Sequence, residues 1–279
     1  MTMNILLLTI GNSTVLHQQT HYALRTLRLH MADDDRLYVL TDSPQLYTGI
    51  PFVQVVPLDV EAIRLWKGTY GYFFRAKIMA VQRFAHEHPD SHLMFVDSDT
   101  YCMKSLGAVV DFLDRGDGVM HRDEGCMAQM ADESQQMWQQ TRGRSYAGIL
   151  IDERFHMWNS GVVAIPGGKV VSVMDKALEL CDALLADGVT CFNLEQWAVA
   201  IALTVNCNVI HEAYPYIGHY WHHKYVWTRH VAGFFARSYA KGWSLDEELE
   251  RLRRRDHGRL ARLLAFKRII LKVVGRKNG

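Results

Sequence analysis

Four short apolar runs constrain this chain more than any other feature. They are MNILLLTI (3–10), RLYVLTD (36–42), PFVQVVPL (51–58) and HLMFV (92–96). Helical-period segments separate the first from the second and the third from the fourth. HQQTHYALRTLRLHM carries Tyr22, Leu24, Leu27 and Leu29, and GYFFRAKIMAVQRFAHEH (71–88) carries Phe74, Ile78, Val81 and Phe84. Continuous apolar runs suit strands buried on both faces. Alternation with helices predicts an α/β fold around a mostly parallel sheet. Beyond residue 100, GDGVMHRDE reads as a short strand, SQQMWQQTRGRSYAG as a helix within a loop, and WNSGVVAIPGG (158–168) as a strand and turn. KVVSVMDKALELCDALLADG and FNLEQWAVAIALTV follow as helices. No composition break precedes residue 240, so the expectation is one domain over 1–240 and an extension over 241–279.

Composition narrows the class. The 49% apolar and 22% charged shares are those of a globular protein large enough for a real core. Five cysteines without CxxC spacing predict free thiols in a reducing compartment. The N-terminus lacks the basic flank of a signal peptide, and no segment approaches the roughly 20 apolar residues of a membrane span. A cytoplasmic protein is expected. The 31 basic and 30 acidic residues are unevenly placed: residues 251–279 hold eleven Lys/Arg and one acid, Asp256. Within that tail Phe266, Ile269, Ile270, Val273 and Val274 recur at helical spacing, with Arg268, Lys272 and Arg276 on another face. Such a helix predicts contact with an anionic membrane surface, against the plainer alternative of a helix packed on the body with a solvated basic face. The acidic body argues against a nucleic-acid partner.

The chemistry concentrates where the fourth strand ends. FVDSDTY (95–101) drives an apolar strand into Asp97 and Asp99. Alternation along an extended segment would put both carboxylates on one side, a hard-oxygen clamp for Mg²⁺ or Mn²⁺; a solvated turn is the plainer alternative. HYWHHK (219–224) offers His219 as a third ligand and Lys224 as a phosphate-holding cation, or else an aromatic turn with ordinary histidines. NSG (159–161) could be a simple turn, or its Asn159 could use its donor and acceptor to read sugar hydroxyls. Glu195 and Gln196 open an apolar helix, where an acid also serves the helix dipole. Arg75 and Lys77 lie on the helix before the DxD strand, and one of the two is expected on a solvated face.

Taken in order, strand, Arg-containing helix, apolar strand with DxD, MWNSGVVAI, EQ-helix and the late His/Lys segment resemble the GT-A class of nucleotide-sugar glycosyltransferases. The similarity to glycosyltransferase family 8 is more distant. It covers roughly residues 3–227. TIGNSTV stands where family 8 has an acid and a tyrosine, the late motif lacks its glycine, and EQ replaces the usual DQ. The resemblance implies a Rossmann-like GT-A domain followed by basic amphipathic helices. It implies a divalent metal, usually Mn²⁺, on Asp97, Asp99 and His219, bridging the diphosphate of a UDP-sugar. Thr9 would line the nucleotide pocket, Arg75, with Lys77 nearby, would contact the nucleotide or diphosphate, and Lys224 would hold the leaving phosphate. Asn159 would face the sugar. Glu195 would be the base of an inverting reaction, or Gln196 would sit behind the anomeric carbon in a retaining one, with Asp99 part of the catalytic set. With the basic tail, this suggests a glycan or lipid-linked acceptor in bacterial surface-polysaccharide assembly at the inner face of the cytoplasmic membrane. Two rivals are a haloacid-dehalogenase-like phosphatase, which also ends a strand in DxD but wants Thr or Val where Tyr101 stands, and a non-enzymatic lipid-binding protein.

Overall fold

A computed structural model describes residues 1–131 and 133–263. The elements run β1 (Met3–Thr9), α1 (Thr14–Arg28), β2 (Arg36–Thr41), β3 (Val53–Pro57), α2 (Val60–Trp66), α3 (Arg75–Glu87), β4 (His92–Val96), β5 (Thr100–Cys102), α4 (Gly107–Asp114) and β6 (Gly118–Cys126). Then come α5 (Glu133–Thr141), β7 (Ser145–Tyr146), β8 (Ile149–Leu150), β9 (His156–Ile165), α6 (Val170–Ala186), α7 (Leu194–Asn206), β10 (Ile210–Glu212), β11 (Ile217–His219), α8 (Lys224–Lys241) and α9 (Leu245–Arg253).

Seven strands form the central sheet in the order β10-β6-β9-β4-β1-β2-β3. Every pairing in it is parallel except those of β9, which runs antiparallel to β4 and β6. The mostly parallel α/β sheet expected from the sequence is therefore present. Strand pleating divides the core by residue parity: Leu6, Phe95 and Val163 face one apolar layer with α3, α6 and α7, while Ile5, Leu7, Met94, Val96 and Val162 face a second with α1 and α4. Both faces are covered, which is why β1 and β4 read as unbroken apolar runs.

The helix expected over 71–88 begins only at Arg75. Gly68 and Gly71 take positive φ values of 68° and 64°, so GTYGYFF forms a turn instead. The reversed strand β9 matters most for function. Phe95 pairs with Val163 and Val96 with Val162, and the Asp97 amide donates to the Gly161 carbonyl at 2.9 Å. Antiparallel pairing thus lays Asn159–Gly161 beside the carboxyl end of β4. Off the main sheet, β11 pairs antiparallel with β5 and sets His219 opposite Thr100.

The described part of the expected C-terminal extension is anchored to the body. Arg25 of α1 bonds Glu248 of α9 through Nε at 2.6 Å, both side chains nearly buried, and the Tyr22 hydroxyl lies 3.1 Å from His257 Nε2. A capping box of Ser244 and Glu247 starts α9, and Gly242, at φ 61°, ends α8. The amphipathic segment from Phe266 onward lies outside the described residues.

Candidate metal centre

Asp97 and Asp99 converge through a turn, not through the pleat the sequence suggested. Residues 98–99 are a turn, closed by the Thr100 hydroxyl donating to the Asp97 carbonyl at 2.7 Å. One ligand atom from each of Asp97, Asp99 and His219 lies within 4.8 Å of the others. His219 arrives from the β5–β11 pairing. Space for it is cut into β9, because a Cβ at Gly161 would overlap the imidazole. The glycine of NSG is thus a mid-strand clearance, not a turn residue.

Like charges this close need positive partners, and the fold supplies them. Lys77 Nζ lies 3.2 Å from Asp97 Oδ1 and 3.3 Å from Glu195 Oε1, and donates to the Ser160 carbonyl at 3.1 Å. Burial penalises its ammonium, but Asp97 and Glu195 outweigh that and hold its pKa above the ordinary lysine value. Asp99 meets His219 Nε2 at 3.1 Å and Lys224 Nζ at 3.0 Å. Burial pushes the Asp99 pKa up, yet these two partners prevail and keep it well below the usual carboxylate range.

The donor set fits a divalent cation. The His219 Nδ1–H donates to Asn159 Oδ1 at 3.0 Å, which fixes the ring as second-sphere carbonyls do in metal sites. Nε2 then faces a carboxylate, an arrangement that calls for a proton or a metal ion on that nitrogen. Two hard carboxylates and one imidazole suit Mg²⁺ or Mn²⁺, and nothing in the donor set singles out either ion. His121 stands edge-on to His219, 5.2 Å between ring centroids, and burial with the His219 charge pushes its pKa down to about 3, so it adds no positive charge.

Other expected residues are placed as follows. Glu195 is 5% exposed, clamped by Lys77 and by the Ser160 hydroxyl at 3.2 Å, and burial raises its pKa. So enclosed, it cannot meet an acceptor hydroxyl; it holds Lys77. Gln196 is 8% exposed, its Oε1 accepting from the Ser160 amide at 3.1 Å. Lys224 keeps a largely exposed side chain beside Asp99. Arg75 is not brought to the cluster. Residues two apart on a helix point to different sides, so only one of Arg75 and Lys77 can face the DxD turn. Arg75 instead forms a two-pronged pair with Asp182 at 2.6 and 2.9 Å and donates to the Trp66 carbonyl. Neither cation lies on a solvated face. Thr9 is fully buried between β1 and α1, 2.9 Å from the Thr20 hydroxyl, so it lines no open pocket.

Two participants escaped the sequence reading. Tyr72 receives the Glu195 amide at 3.1 Å and donates to the Phe192 carbonyl, fixing the start of α7. Glu124, half-buried at the end of β6, accepts from Asn159 Nδ2 at 3.1 Å and Gln196 Nε2 at 3.0 Å. Since β9 reverses between them, β4 and β6 run in the same direction. The rule that flagged the acids ending β4 also flags Asp123 and Glu124.

No protein-family model matches the chain, and no curated protein matches it significantly.

Proposed function

We propose that the protein is a metal-dependent glycosyltransferase of the GT-A class, moving a sugar from a nucleotide-sugar, most simply a UDP-sugar, to a glycan or lipid-linked acceptor. One observation carries this reading: Asp97, Asp99 and His219 converge at the carboxyl end of a central strand, where ligands of open α/β sheets collect, with Lys224 beside them and Asn159 behind the imidazole. Asp97, Asp99 and His219 would hold a divalent ion there, which would supply Lewis-acid neutralisation to a diphosphate leaving group.

The chain's own groups divide the rest of the work. Lys224, largely exposed beside Asp99, can turn to a phosphate oxygen and serve the leaving group as a point charge. Lys77, buried and paired, holds Asp97 at the metal edge. Asn159 couples that edge to Glu124 and Gln196, which makes a continuous polar wall where the sugar would lie. Thermal unfolding with UDP and Mn²⁺, singly and together, tests the proposal, since a ligand bound to the folded state raises its stability. Stabilisation should require both together and vanish in Asp99→Ala. A shift by Mn²⁺ alone with no response to UDP, accompanied by hydrolysis of a generic phosphoester, would favour a phosphatase and reject the transferase.

A further inference from the structure

The sequence offers Glu195 as the base of an inverting reaction, but the structure encloses that residue and leaves a different carboxylate at the site. The orientation of two amides identifies it. Asn159 Oδ1 accepts from the Gly161 amide at 3.0 Å as well as from His219. Gln196 Oε1 accepts from the Ser160 amide. Backbone N–H groups only donate, so both amide carbonyls are fixed and both NH₂ groups must point the other way. They meet at Glu124, one on each oxygen.

Glu124 is therefore an acceptor-only group gripped at both oxygens, with one further lone pair on each. It differs from its neighbours in charge balance. Asp97 and Glu195 share Lys77, and Asp99 has Lys224 and His219. Among the described residues Glu124 receives neutral donors only, and the Asp123 beside it is turned to His156 at 2.9 Å. A half-buried anion, rigidly aimed and with no cationic partner among the described residues, lies one amide group away from the imidazole of His219.

Building on the glycosyltransferase reading, we propose that Glu124 is the sugar-binding carboxylate of this site, accepting hydroxyl hydrogens of the donor sugar and countering the positive charge that grows on its anomeric carbon. Uncompensated charge fixed in advance stabilises developing opposite charge without reorganisation. Neutral amides hold Glu124 without quenching it, a cation would cancel it, and solvent alone would leave it mobile. Glu195, spent on Lys77, is a positioning residue.

The test compares Glu124→Gln and Glu124→Ala with the parent protein in Mn²⁺, with UDP alone and with UDP-glucose, UDP-galactose and their N-acetylamino counterparts. The parent should be stabilised by UDP, and further by at least one of the sugar nucleotides. Both variants should keep the UDP response and lose the sugar increment. Their slow release of UDP from that sugar nucleotide should drop by about 100-fold or more, as expected when a preorganised charge is removed. If the UDP response falls together with the sugar increment, Glu124 acts only through Asn159 on His219 and the proposal fails. It fails also if both variants keep the increment, or if no sugar nucleotide adds to UDP in the parent. A parent that ignores UDP and Mn²⁺ altogether overturns the underlying function, a result separable from the others because no variant is needed to see it.

Discussion

At the scale of single residues, the site is governed by what each side chain is denied. Asp99 is denied water but given two positive partners; Glu195 is denied water and given a share of one. Hence burial wins at Glu195 and partners win at Asp99. Gly161 is denied a side chain so that His219 can occupy its space. The Gly161→Ala variant should fold, because the backbone there needs no unusual φ, but the imidazole must move away from Asn159 and Asp99. Mn²⁺ affinity by titration calorimetry should fall roughly 10- to 100-fold, the range seen when the outer partners of metal ligands are disturbed. Unchanged affinity would mean that His219 is not a ligand. The same local view explains Arg75 and Lys77. Composition treats the two cations alike, and two positions of helical rotation separate a part-exposed ion pair with Asp182 from the acid cluster.

At the scale of elements, α1, α8 and α9 are fastened by buried polar contacts as well as apolar packing. Tyr22, Trp227 and Phe234 make the apolar part, Tyr101 stacking on Trp227 at 4.3 Å. Arg25–Glu248 and Tyr22–His257 make the polar part. Two histidines in this region have depressed pKa values. Burial, aided by Arg25 and His17, lowers His21 to about 4, and burial with Arg255 lowers His257 to about 4. Unfolding restores the ordinary value near 6.5, so between about 6.5 and 4 the unfolded chain binds protons that the folded one refuses. Stability from these groups is present in full above that window and is lost as pH falls through it, at up to about 1.4 kcal/mol per pH unit for each histidine. Denaturant midpoints measured from pH 7 to 5 should therefore decline. His257→Gln should flatten the decline, and an equal slope in that variant would remove His257 from the account.

At the scale of the whole molecule, an acidic sheet domain is joined to a basic C-terminus. No helix among the described residues is long and apolar enough to cross a membrane. Beside α9, a groove of about 710 Å³ is lined by cations such as Arg237, Lys241 and Arg251 and by the acids Asp246, Glu247 and Glu250, with Arg251 lying 3.8 Å from the Trp243 ring centroid. The groove is of mixed charge, so the proposal of an anionic membrane surface and a lipid-linked acceptor rests on the eleven Lys/Arg of residues 251–279. Truncation should spare α9, whose Leu252 and Glu248 are buried. Removing residues 264–279 takes away five Lys/Arg and keeps α8 and α9. At about 1 kcal/mol per cation near a charged surface, sedimentation with phosphatidylserine vesicles should drop by several orders of magnitude, with little binding to neutral vesicles before or after. Equal binding by the truncated protein would show that the tail is not the membrane element.

The sequence by itself determined the alternating architecture, the strand that ends in Asp97 and Asp99, and the residue types from which a site could be drawn. Those follow from local rules: apolar runs must be buried, helical spacing makes a face, and glycines interrupt it. Tertiary structure decided which residues actually meet. The reversal of β9 laid Asn159–Gly161 against the DxD turn, and the pairing of β11 with β5 delivered His219 across more than a hundred residues. The exclusion of water left Glu195 clamped inside and Glu124 only half-buried. Such outcomes depend on non-local pairing and desolvation, and neither is written in the spacing of residues along the chain.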